Sequence, residues 1–123
     1  MEHSKEFEAL AADAKSRVKE VSVQQTLERL ENGATLIDVR EDNEWFEHAS
    51  DAIHLSRGII ERDIVNAFPD KGSELILYCG GGYRSALAAD NLQKMGYSNV
   101  YSVAGGWTAW NEAGAPTEME IPF

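Results

Sequence analysis

The run Leu75-Ile76-Leu77-Tyr78-Cys79-Gly80-Gly81-Gly82-Tyr83-Arg84-Ser85-Ala86-Leu87 constrains this chain more than any other segment. An apolar strand runs into the only cysteine, then three glycines, then an arginine that opens a helix. That order puts a sulfur at the C-terminal end of a strand, facing backbone N–H groups that the following helix leaves free. Such groups at a helix N-terminus stabilise negative charge. A thiolate held there is a nucleophile or a sulfur carrier.

The remaining segments alternate in the same sense. Residues 4–19 read as an amphipathic helix, with Phe7, Leu10, Ala11, Ala14 and Val18 on one face. Lys19-Glu20-Val21 reads as a short strand. Ser22 and Gln25 form a capping-box pattern for a helix over 23–31 that Asn32-Gly33 stops. Residues 34–39 form a β-type run without polar alternation, as expected of a strand buried on both faces. A short helix is expected over 41–48, a strand over 52–55 and a helix over 58–67 that must end before Pro69. The segment 74–78 is a strand, 84–95 a helix closed by Gly96, and 99–103 the last strand. A short helix holding Trp110 follows, and 117–123 reads as a mobile acidic tail. Strands alternating with helices imply one α/β domain of three layers, a parallel sheet covered on both sides. Ligands of such sheets sit beyond the C-terminal strand ends, where Cys79 lies.

Composition narrows the partners. At 123 residues the chain suits one domain with a real core. A formal charge of −10 argues against nucleic acid and against an anionic membrane surface. No apolar run approaches the ~20 residues that span a bilayer, and the N-terminal residues lack a secretory pattern. With a single cysteine no internal disulfide forms, so a cytoplasmic location is expected.

The loop's chemistry follows from its residue types. Gly80, Gly81 and Gly82 can adopt positive φ and turn their amides inward. The helix end contributes about half a positive charge, and Arg84 adds a full one. All of this favours thiolate over thiol. Ser85 is placed either to cap the helix or to hydrogen-bond a bound sulfur. Tyr83, the one bulky side chain of the loop, either leans over the cysteine or packs into the core. Asp38 and Arg40 close a strand that should neighbour the cysteine strand; they either orient the loop or tie the strand end to a helix. Arg57 and Glu61 look like scaffolding charges. His48 and His54 lack partners at metal-ligand spacing, so no metal is expected.

At this point the chain resembles the single-domain rhodaneses. The resemblance spans about residues 20–116 and rests on ordered motifs: LIDVRE at 36–41 followed by Glu44 and Trp45, AIHLSRGIIE at 52–61, LILYCGGGYRSALAA at 75–89, GYSNVYSVAGGW at 96–107 and GAP at 114–116. It implies a roughly five-stranded parallel sheet, with residues 1–19 as an N-terminal helical extension, 20–116 as the rhodanese-like domain and 117–123 as a C-terminal tail. It also implies that Cys79 accepts a sulfane sulfur as a persulfide, cradled by Gly80, Gly81, Gly82, Tyr83 and Arg84, without cofactor or metal. The donor would be thiosulfate or a persulfide, the acceptor a thiol or, in an assay, cyanide; a protein persulfide is a further candidate partner. Related phosphatases place one residue more between cysteine and arginine, so the shorter loop here favours a single sulfur over a phosphate. The chain departs from the family at Ser50-Asp51, where many members carry Pro-Gly. A non-catalytic binding module and a persulfide sensor are the alternatives. Thiosulfate is a dianion and the loop offers no extra lysine or arginine, so its capture is expected to be modest and sensitive to ionic strength.

Overall fold

A computed structural model describes residues 3–120. The chain begins with helix α1, Lys5–Lys15, whose N-cap Ser4 accepts a hydrogen bond from the Phe7 amide. Strand β1, Lys19–Val21, leads into helix α2, Val23–Glu31, and the expected reciprocal Ser22–Gln25 capping box is formed. Strand β2 covers Thr35–Asp38. The elements that follow are strand β3, Glu47–Ala49, strand β4, Ile53–His54, and helix α3, Ile60–Ala67. The second half holds strand β5, Leu75–Tyr78, helix α4, Tyr83–Lys94, strand β6, Val100–Val103, helix α5, Gly106–Glu112, and strand β7, Thr117–Met119.

Five strands form one parallel sheet in the order β1-β6-β5-β2-β4. The sheet is therefore five-stranded and parallel, and the fold is α/β with an N-terminal helix. Successive residues of the central strands serve opposite layers, as the period of two requires. Ile37, Leu75, Leu77 and Val100 pack with Ile60, Ile64, Ala88 and Leu92 of α3 and α4 on one face. Leu36, Ile76, Tyr78 and Val103 pack with Val23 of α2 and Trp110 of α5 on the other. Each fully buried Leu or Ile contributes about 1.5–3 kcal/mol, which makes these two layers the main source of cohesion.

Two segments differ from the sequence reading. The helix expected over 41–48 is a 3-10 turn at Asp42–Glu44, and the residues after it form β3. Those residues extend because they pair antiparallel with β7, Glu47 opposite Met119 and Ala49 opposite Thr117. The same pairing corrects the mobile tail: residues 117–119 are a strand, while 121–123 lie outside the described residues. Trp45 does not build a helix face. Its ring stacks between His48, at 3.5 Å, and His54, at 4.9 Å. Leu10, counted on the apolar face of α1, is 58% exposed, because the buried contact is made by the small residues Ala11 and Ala14.

Ser50-Asp51 form the centre of a tight turn. The Ala52 amide donates to the Ala49 carbonyl, and Asp51 takes φ 64 at the third position of that turn. Glycine is the usual occupant of a left-handed position, and aspartate is among the few other residues that tolerate it.

At the C-terminal edge of the sheet lies a buried ion pair. Asp38 is fully buried and Arg40 nearly so, and the guanidinium donates to both carboxylate oxygens, at 2.8–3.1 Å. Tyr78 donates its hydroxyl to Asp38 at 2.7 Å and accepts the Ala49 amide. Arg40 also donates to the Glu47 carbonyl. Removing one partner of such a pair strands the other charge, at a cost of about 3–5 kcal/mol. Asp38→Ala is therefore expected to lower unfolding free energy by about that amount, read as a reduced urea midpoint.

Candidate active site

Strand β5 ends at Tyr78, and the chain must turn within Cys79–Gly82 to enter α4 at Tyr83. Gly82 makes the turn at φ 100 as the N-cap residue, so its amide points back towards the cysteine rather than along the helix. That amide donates to Cys79 Sγ at 3.1 Å. The sulfur thus sits at the N-terminal end of a twelve-residue helix, where amide donors and the helix dipole favour an anion. Cys79 is buried at the floor of a cleft of about 690 Å³.

Ser85 is not the cap. It is fully buried in the first turn of α4, with Oγ 3.5 Å from Cys79 Sγ and 2.7 Å from Ser102 Oγ on β6. If Ser102 supplies the proton between the hydroxyls, the Ser85 proton is free for the sulfur. Ser102 carries no sequence signal of this role, because it becomes a neighbour only through β5–β6 pairing, with Leu77 opposite Ser102.

Arg84 differs from the expectation of a free charge on the loop. Its guanidinium donates to both carboxylate oxygens of Glu44, at 2.7 and 3.2 Å. These hydrogen bonds hold the Glu44 carboxyl below the usual carboxylate range and tighten the Arg84 proton in turn. Glu44 also accepts the Glu41 amide, so the 41–44 turn is clamped to the cysteine loop. Glu44 stands in the first sequence motif, but nothing local in the sequence couples it to an arginine forty positions away.

Tyr83 leans outward into the cleft. Its ring meets His3 at 4.8 Å and Phe7 at 5.9 Å, and Lys15 Nζ lies 4.7 Å from its centroid. Asp38 and Arg40 are gathered behind the site rather than in it, and their hydrogen bonds run to β3 and β5. Arg40 reaches the site through α5: its guanidinium lies 4.6 Å from the Trp107 ring, and the Trp107 amide donates to the Cys79 carbonyl at 2.7 Å. Arg57 pairs with Glu61, which also accepts from Asn91, tying α3 to α4.

The residue that sequence reasoning missed most plainly is Gly106. A Cβ there would stand 2.3 Å from the Cys79 carbonyl oxygen and 3.0 Å from its carbon. Its φ of +52 adds a second reason for glycine. The bare Cα is what lets α5 dock against the backbone of the cysteine loop, where the Thr108 amide also holds the Gly80 carbonyl. The Gly105-Gly106 pair before Trp107 is the signal that could have revealed it.

The arrangement is a buried cysteine sulfur that accepts a backbone amide at the base of an open cleft. Comparison with known proteins agrees with that geometry. The rhodanese-like domain model matches residues 22–113. A thiosulfate sulfurtransferase GlpE of Actinobacillus pleuropneumoniae is 36% identical over 101 residues, covering 80% of this chain and 92% of that protein. The polysulfide-sulfur transferase homodimer of Wolinella succinogenes superposes with a TM-score of 0.79 at 28% identity, covering 91% of this chain and 86% of that one. A protein of unknown function from Rhodopseudomonas palustris, described as a possible tyrosine phosphatase, superposes at 0.83 with 26% identity and covers 96% of this chain and 98% of its own.

Two outcomes follow from this geometry. Gly106→Ala should force α5 away from Cys79, lowering stability by at least ~1 kcal/mol and shifting the thiol's alkylation rate. The Glu44 carboxyl is depressed in the folded state, so its contribution is complete above the unfolded carboxylate value of about 4.3 and is lost as pH falls through the folded one. The stability gap between wild type and Glu44→Gln, measured by urea unfolding, should therefore close on acidification.

Proposed function

Because the chain belongs to the rhodanese-like domain family, we propose that it is a thiosulfate sulfurtransferase-like enzyme that carries sulfane sulfur on Cys79. The observation that carries the reading is the Gly82 amide aimed at Cys79 Sγ at the N-terminus of α4, inside an open cleft. The named sulfurtransferases among the similar proteins support it.

The reaction runs in two displacements. The Cys79 thiolate attacks the outer sulfur of thiosulfate; the new S–S bond forms as the old one breaks, sulfite leaves with the electron pair, and a Cys79 persulfide anion remains. An acceptor thiol then takes the outer sulfur: Cys79–S–S⁻ and RSH give the Cys79 thiolate and RSSH. Cyanide in place of the thiol gives thiocyanate. Both steps begin and end with negative charge on sulfur, so the Gly82 amide preset at Cys79 stabilises each without reorganising. Gly80, Gly81, Gly82, Tyr83 and Arg84 supply that cradle, and Ser85 a hydroxyl at the inner sulfur. With one cysteine in the chain, discharge requires an external acceptor.

The R. palustris protein raises phosphatase chemistry as a second reading. Four residues separate Cys79 from Arg84, and Arg84 is committed to Glu44. Both features suit one sulfur better than a phosphate group, which would need a wider cradle and a free guanidinium.

Intact mass decides the matter. Reduced protein mixed with thiosulfate should gain about 32 Da, lose it on adding a thiol, and show no gain as Cys79→Ser. Hydrolysis of an aryl phosphate by the wild type, with no mass gain from any sulfur donor, would replace this reading with the phosphatase one.

A further inference from the structure

Helix α1 precedes the residues 22–113 that match the family, yet it forms part of the cleft over Cys79. It is held there firmly. Ala11 and Ala14 are buried, and Arg17, just beyond its end, makes two hydrogen bonds, at 2.8 and 3.0 Å, to Asp90 of α4, itself almost fully buried. Gln93 of α4 donates to the Arg17 carbonyl. So anchored, α1 brings Phe7, with His3 just before it, against the Tyr83 ring. The three rings make mutual contacts at 4.8–5.9 Å and line the cleft beside Cys79. A carboxylate is also in the lining. Glu44 is neutralised by Arg84, while Glu41, in the same turn, is exposed and has no cation partner among the described residues.

Among acceptors, an aromatic wall and a carboxylate without an ion-pair partner favour one with an apolar body and without negative charge. Resting on the sulfurtransferase reading, we propose that α1 is the substrate-selecting wall of this site, and that the preferred acceptor is a neutral or cationic thiol, of the aminothiol class, with an apolar body. Phe7 is the residue for the apolar part and Glu41 the residue for the charge. The reaction is the discharge already written, in which RSH takes the outer sulfur and leaves as RSSH. Anionic thiols meet the Glu41 carboxylate on a chain of charge −10, so their approach is opposed and salt relieves it.

The test separates acceptor choice from the sulfurtransferase reading itself. Cys79 is loaded with sulfur and the load confirmed by mass. Discharge is then timed with benzyl mercaptan and with three thiols sharing one two-carbon body: cysteamine, 2-mercaptoethanol and 2-mercaptoethanesulfonate. The cysteamine-to-sulfonate rate ratio in wild type should exceed that in Glu41→Gln by about three-fold, intrinsic thiol reactivity cancelling between the two proteins. The excess should vanish at high salt. Phe7→Ala should lower the benzyl mercaptan-to-mercaptoethanol ratio about three-fold through KM, and Phe7→Leu, which preserves apolar volume, less so. Equal ratios in wild type and Glu41→Gln, or in wild type and Phe7→Ala, overturn the proposal. Failure of the wild type to load sulfur overturns the sulfurtransferase reading instead. The cleft's charge preference is then read from Cys79 modification by aminoethyl and sulfonatoethyl methanethiosulfonates, where the same dependence on Glu41 supports the proposal and its absence sinks it.

Discussion

The buried Asp38–Arg40 pair is the interaction around which the C-terminal edge of the sheet is organised. Two charges so deeply removed from water persist only when every polar atom is engaged. Here Asp38 receives both the guanidinium and the Tyr78 hydroxyl, and Arg40 donates onward to the Glu47 carbonyl. Those bonds join β2, β5 and β3, and the face of the same guanidinium meets the Trp107 ring of α5. The elements β2, β3, β5 and α5 are thereby fixed relative to one another by one ion pair. The backbone of Cys79 inherits that rigidity through the Trp107 amide.

The charge at the site is of a different kind. Arg84 is the obvious cation of the loop, yet Glu44 holds it bidentately and leaves little net charge. The Gly82 amide and the start of α4 meet the sulfur directly. Oriented amides attract negative charge without carrying a counter-ion that must be displaced. The clamp has a second effect, since it brings the 41–44 turn and its unpaired Glu41 to the cleft. The carboxylate that restrains the loop and the exposed Glu41 carboxylate in the cleft lining belong to a single turn.

How much of this was legible in the sequence depends on the range of the interaction. The βα unit at 75–94, the Ser22–Gln25 capping box and the Gly96 stop are local, and each follows from residues within one or two turns of each other. The helix expected over 41–48 failed for the opposite reason. Trp45 and Phe46 suggest packing surface, but residues 47–49 are extended by pairing with 117–119, some seventy positions away. The same distance hid the strand within the acidic tail. Periodicity places Leu10 on the apolar face of α1, whereas the close approach of α1 to α4 is made by alanines, and a larger side chain is left outside.

By itself the sequence determined the layer architecture, the position of Cys79 at a strand end and the start of the helix behind it, because apolar periodicity and glycine-to-helix transitions are encoded within short windows. Only the tertiary structure decided that Glu44 neutralises Arg84, that Ser102 reaches Ser85, that Gly106 lies against the cysteine carbonyl, and that α1 brings Phe7, and His3 before it, to the cleft. Each of these joins residues far apart in the chain. Such pairings are set by how packed layers meet in space, and the order of residues along the chain carries no local mark of them.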